Sequence, residues 1–200
     1  LGVLAEKVEN MIVASADLSN SDKTDGFLKK TRAISKEDMG GRFLQPGVCE
    51  FTMACIMNGM ALHGGIVPAC GTFFVFSDYM KPALRLSALM RLPVKFIWTH
   101  DSFRVGEDGP THQPVEHEAQ LRLMEQLRNH EGERSVVVLR PADARETVAA
   151  WKIAMEEQRP TALVLSRQNI KDLPTLGGSR AEEAMQAVKG AYIVMDCEGK

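Results

Sequence analysis

Pro93-Val94-Lys95-Phe96-Ile97-Trp98-Thr99-His100-Asp101 is the stretch that decides the fold. Residues 94–98 are mainly β-branched or aromatic, start after a proline and run directly into Thr, His and Asp. A short apolar run bounded this way reads as a buried strand with polar groups at its carboxyl end. The pattern recurs on either side. Residues 11–14 lead to Ala16-Asp17, residues 136–139 stop at Pro141, and residues 161–165 run into Ser166-Arg167. Residues 66–76 also favour a strand, interrupted by Pro68 and Gly71. Helical patterns lie between these runs, at 50–62 (closed by His63-Gly64-Gly65), 79–90, 116–127 and 142–158. The tail is less regular, with a helical pattern at 181–188 and a last strand expected at 191–195. Strands alternating with helices of about ten residues or more predict an α/β fold, a mostly parallel sheet with helices on both faces. In such sheets ligands lie at the carboxyl ends of the strands. Asp17, His100, Asp101 and Arg167 then converge on one edge.

Composition narrows the function classes. The chain has 200 residues, with 24 Lys and Arg against 26 Asp and Glu, a net charge of −2. That balance excludes a general polyanion-binding surface, and no nucleic-acid partner is expected. Hydrophobic residues at 44% describe a folding chain, not a disordered one. Apolar runs break within about ten residues, short of the roughly 20 that span a bilayer, so no membrane partner is expected. Cys49, Cys55, Cys70 and Cys197 form no C-x-x-C pair. They show neither a disulfide framework nor zinc spacing, and a reducing compartment, the cytoplasm, is the simpler reading. The chain opens abruptly on Leu1, as a piece of a longer polypeptide does.

The common catalytic signatures are missing. There is no G-x-G-x-x-G after a strand, no phosphate loop, no H-E-x-x-H and no G-x-S-x-G. Glu50 stands at the amino end of an apolar helix. It is either a first-turn carboxylate favoured by the helix dipole or an acid in an apolar cavity that needs a partner. Phe73, Phe76 and Tyr79 recur every third residue, as a core stripe or as a wall for a flat heterocycle. His100, Asp108 and His112 flank one Gly- and Pro-rich loop, 106–114, that is suited to presenting groups to a ligand. The polar stretch 19–41 is longer than ordinary loops. His63 reads as structural, and His117 and His130 as exposed on helices. Arg167 reads as a phosphate clamp or as a surface ion pair. His100 and His112 lack a third ligand, and no metal site is expected within the chain.

Four blocks carry a family resemblance: GVCEFTMACIMNGMALHGG, TFFVFSDY, THDSFRVGEDGPTHQPVE and LSRQN. From Ala16-Asp17 to about Asn169 the chain resembles the middle, pyrimidine-binding domain of transketolase. The resemblance implies the thiamine diphosphate-binding fold. It also implies transfer of a two-carbon ketol unit between sugar phosphates. Glu50 falls on the glutamate that hydrogen-bonds N1′ of the aminopyrimidine. Phe73, Phe76 and Tyr79 fall on the aromatic pocket for that ring, with Asp17 near the cofactor. His100 and His112 match substrate-binding, proton-exchanging histidines, and Asp108 matches the aspartate that reads the donor hydroxyl. Ser21 and Arg167 match residues holding the sugar phosphate. The catalytic set is thus Glu50, His100 and His112.

The same resemblance implies an amino-terminal domain, outside this sequence, that binds the diphosphate and a divalent metal (Mg or Ca). It implies a homodimer with the cofactor between subunits, and an inactive isolated domain. Residues 1–190 would form the pyrimidine-binding domain and 191–200 the start of a linker to a carboxyl-terminal domain. Cys49 stands where the family usually has an arginine. Two other classes remain open. One is another thiamine diphosphate enzyme, a deoxyxylulose-phosphate synthase or a dehydrogenase β-subunit. The other is a non-catalytic assembly module.

Overall fold

The structure is a computed structural model that describes residues 1–106 and 108–197. Glu107 of the 106–114 loop and residues 198–200 of the expected linker lie outside the described residues.

In chain order the elements are α1 (Gly2–Lys7), β1 (Met11–Ser15), α2 (Asp25–Leu28), β2 (Phe43–Leu44), α3 (Glu50–His63) and β3 (Val67–Phe73). A 3-10 turn (Phe74–Tyr79) leads to α4 (Lys81–Leu89) and β4 (Lys95–Thr99). A second 3-10 turn (Pro110–His112) precedes α5 (His117–Gln126), β5 (Val137–Leu139), α6 (Ala144–Glu156) and β6 (Thr161–Val164). Helix α7 (Arg180–Ala184) and a 3-10 turn (Met185–Lys189) follow. The six strands form one sheet in the order β2-β1-β3-β4-β6-β5. Every pairing is parallel.

Alternation along each strand builds two cores, as side chains must alternate across a sheet. Val13, Ala69, Ile97 and Leu163 face one side, where they pack with Ala5 of α1, Phe27 of α2 and Ala150 and Ala154 of α6. Ala14, Cys70, Phe96, Trp98 and Ala162 face the other, against Met53 and Met57 of α3, Leu84 of α4 and Leu121 of α5. The α/β fold with helices on both faces is therefore the observed one.

Some readings change. Strand β3 runs through Pro68 and Gly71, both paired with β1. The polar stretch 19–41 contains α2, and β2 follows just after it. No strand forms at 191–195. Ile193 and Met195 stay exposed, and the Tyr192 hydroxyl is drawn to Arg180 and Glu146 instead. The Arg180 guanidinium bonds buried Asp143 and Glu146 at 2.6 Å each, docking α7 on the amino end of α6. His117 is buried, not exposed. Its Nε2 lies 3.1 Å from both the Val75 carbonyl and the Asp78 carboxylate, which pins the 74–79 turn to α5.

Gly71 shows how the fold positions the site. A Cβ there would lie 2.6 Å from Thr24 Cγ2 and 3.1 Å from Asp22 Oδ2. The loop after β1 crosses β3 at this bare position. Gly71→Ala should therefore destabilise the protein by about 1–3 kcal/mol in urea unfolding, as overpacking does. Gly59→Ala, in open space on α3, should instead stabilise by about 0.5–1 kcal/mol.

Candidate active site

The strand order reverses between β1 and β3: β2 lies to one side of β1 and β3 to the other. That switch point is where an open α/β sheet leaves a crevice at its carboxyl edge. The loop after β1, the turn after β3, the residue after β4 and the loop after β6 all open onto it.

The loop after β1 is shaped by Asp22, which is 1% exposed. Ser15 Oγ donates to its Oδ2 at 2.6 Å. Thr24 N and Oγ1 donate to its Oδ1 at 2.9 and 2.7 Å. A carboxylate with three donors inside the protein is a strong clamp. It turns Asn20, Ser21 and Lys23 toward the strand ends.

The turn after β3 explains the aromatic stripe. A 3-10 helix has three residues per turn, so side chains at i and i+3 eclipse. Phe73 and Phe76 accordingly stack with centroids 5.7 Å apart and planes at 14°. Phe76 and Tyr79 stack at 6.2 Å and 27°. His100 extends the stack at the other end, 3.7 Å from Phe73, and His112 meets Phe76 edge-on at 5.3 Å. The stripe is a wall and not a core ridge: Phe73 is buried, Phe76 is half-buried and Tyr79 is 60% exposed.

This wall separates two cavities. The first, about 530 Å³, is lined by Ala16, Leu18, Val48, Cys49, Glu50, Phe51, Thr52, Phe76 and Tyr79. Its one charged group is Glu50, which is 7% exposed. Among the described residues its carboxyl makes no hydrogen bond or ion pair. A mostly buried carboxyl that lines a cavity is placed to pair with a ligand there. The second cavity, about 320 Å³, is lined by Asn20, Ser21, Lys23, Phe73, His100, Asp108 and Arg167. Here most groups are polar, with two cations, Lys23 and Arg167, and one acid, Asp108. Asp108 Oδ2 sits 3.8 Å from His100 Nε2 and 3.6 Å from Arg167 Nε, and that oxygen has no hydrogen-bond partner in the described protein.

His100 and Asp17 both have left-handed backbones, with φ of 61° and 63°. A non-glycine residue there carries strain of about 1–2 kcal/mol, and such residues cluster at functional sites. Thr99 Oγ1 lies 2.9 Å from His100 Nδ1 and orients the ring. Burial pushes the His100 pKa down to about 4, against the opposing pull of Asp108. Asp101 Oδ2 meanwhile ties the ends of β4, β5 and β6 together through Arg140 and Ser166.

Of the residues singled out in the sequence, Glu50, Phe76 and Tyr79 share the first cavity. Ser21, His100, Asp108, Arg167 and Phe73 share the second. His112 joins both through the aromatic wall. Asp17 is exposed and lines neither cavity. Lys23 was missed, although the unusual length of the polar stretch around it was the available signal.

The site therefore sets a mostly buried acid facing an aromatic wall beside a polar cavity, at the carboxyl edge of a parallel α/β sheet. The sequence model of the family described as "Transketolase, pyrimidine binding domain" matches residues 1–172. The chain belongs to that family. It is 51% identical over 201 residues to the transketolase of Halalkalibacterium halodurans, covering 100% of this chain and 28% of that protein. The Leishmania mexicana transketolase structure superimposes with a TM-score of 0.85 at 39% identity, over 98% of this chain and 27% of that one. A Pichia stipitis transketolase complex with sedoheptulose-7-phosphate gives 0.81 at 39%, over 98% and 28%. The chain thus spans just over a quarter of the length of these relatives.

Burial sets the pH behaviour of His100. Its pKa falls from an ordinary 6.5 to about 4, so the unfolded chain takes up the proton first as pH drops. Stability from keeping this ring neutral is complete above pH 6.5 and declines as pH falls toward 4. NMR titration of the His100 ring should show a midpoint near pH 4, and His100→Asn should flatten the unfolding-midpoint profile across that window.

Proposed function

We propose that this chain supplies the aminopyrimidine half of a thiamine diphosphate site, and part of the sugar-phosphate site, in a transketolase. The observation that carries the reading is Glu50: a buried carboxyl without a partner, in one cavity with Phe76 and Tyr79. A heteroaromatic ring stacked on that wall would present its edge nitrogen to the acid. The Glu50 carboxyl would share a hydrogen bond with N1′, which biases the ring's tautomer.

When bound, thiamine diphosphate supplies the nucleophilic carbon that accepts a two-carbon ketol unit and holds its electrons. The chain's own residues then bind and orient the sugar. His100 stays uncharged near neutral pH, so it acts as a hydrogen-bond partner for a substrate hydroxyl and not as a cation. His112, against the wall, exchanges protons with substrate groups at the reacting end. Asp108 Oδ2 accepts a hydrogen bond from a donor hydroxyl. Ser21, Lys23 and Arg167 hold a dianionic phosphate at the far end of the second cavity.

The first cavity cannot neutralise a diphosphate, because its one charged group is an acid. The family resemblance assigns the diphosphate and its divalent metal, Mg or Ca, to another domain, which is consistent with that cavity. A second subunit completes the site, in a homodimer, and the module alone does not turn over. Residues 1–190 make up the pyrimidine-binding domain, with 191–200 leading away from it. Four free cysteines suit a reducing cytoplasm, and no helix of the described residues is long and apolar enough to cross a membrane.

In the complete protein, Glu50→Gln should lower ketol-transfer turnover by about 10²-fold or more, the usual scale for a lost proton-transfer group. Near-normal rates would reject the assignment. Lys23→Met and Arg167→Met should each raise KM for a phosphorylated ketose about tenfold, the scale of a hydrogen bond to a charged group. Rates with an unphosphorylated donor such as hydroxypyruvate should hold. Equal losses on both substrates would remove these residues from the phosphate subsite.

A further inference from the structure

The cavity facing Glu50 has a thiol in its wall. Cys49 immediately precedes α3 and is free and half-buried. Its thiol donates to the Pro46 carbonyl at 3.0 Å, a weak bond that does not bury it. It lines the same cavity as Glu50, Phe76 and Tyr79. That this cavity takes a ligand rests on a separate observation, the unpartnered and 7%-exposed carboxyl of Glu50. The other thiols are placed differently. Cys70 is fully buried in β3, where burial raises it well above the usual thiol range. Cys55 packs against the α3 side of the core. Cys197 is exposed in the tail.

We propose that Cys49 is a covalent-modification site that closes the ring cavity, and that the modifier is a small thiol delivered as its disulfide. The inference rests on the ring-binding reading above. In the step, Cys49 Sγ attacks one sulfur of the disulfide. A new S–S bond forms, the old one breaks, and the departing thiolate carries off the electron pair. The Cys49 proton passes to solvent, and no other oxidant is consumed. The adduct sits beside Phe76 and Tyr79, so adduct and ring compete for one space. Excess thiol reverses it.

The test uses the complete protein, oxidised glutathione as modifier and thiamine diphosphate as ring ligand. Modification is mapped by mass spectrometry and binding measured by calorimetry. The mixed disulfide should form at Cys49 ahead of Cys55 and Cys70, weaken binding about tenfold or more, and be reversed by dithiothreitol. Saturating ligand should slow modification at Cys49 and leave Cys197 unaffected. Binding by Cys49→Ser should not respond to oxidised glutathione. Unchanged affinity after Cys49 is modified, or an equal rate with ligand bound, overturns the proposal while the ring-binding reading stands. No binding by the untreated protein overturns both.

Discussion

Parallel register between β1, β3 and β4 is the constraint from which the site follows. Ser15 pairs with Gly71 and Phe73 with Thr99, so the chain leaves these strands at nearly one level. Three functions then emerge side by side: the Asp22-clamped loop, the aromatic turn and His100. The loop can cross β3 only because Gly71 carries no side chain. In an open parallel sheet with both faces covered, ligands collect at the carboxyl edge of the strands.

The two cavities differ in electrostatics because different elements line them. The first takes its walls from α3 and the 74–79 turn, both apolar, and contains a single acid. The second takes the cations Lys23 and Arg167 and the neutral ring of His100 from three separate connections, with Asp108 as its one acid. The stacked rings between them are shared, since Phe73 contacts His100 on one side and Phe76 on the other. A ring bound in the first cavity and a sugar phosphate in the second would thus meet across one aromatic wall. The strained backbone at His100 places its ring in that stack, and burial keeps the ring neutral there.

Much of this was legible in the residues. The alternation of apolar runs with longer helical patterns is enough for the α/β fold, and Glu50, the 106–114 loop and the polar strand ends stand out as candidates from the residues alone. The resemblance then assigned roles that spacing alone left open. Other features were not legible for physical reasons. A three-residue spacing fits an α-helical core stripe as well as a 3-10 stack, and only packing against α5 through His117 selects the second. Residues 191–195 form a short apolar run like a strand, yet the Arg180 cluster captures Tyr192 instead. Lys23 looks like any surface lysine until Asp22 turns its loop inward.

By itself the sequence determined which segments are apolar, where they break, and which reactive side chains stand at the breaks, because periodicity and turn chemistry are local. The tertiary structure alone decided which of those side chains meet. Strand order, the bare position at Gly71 and the burial of Glu50 and His100 arise between segments distant along the chain, and no local pattern encodes them.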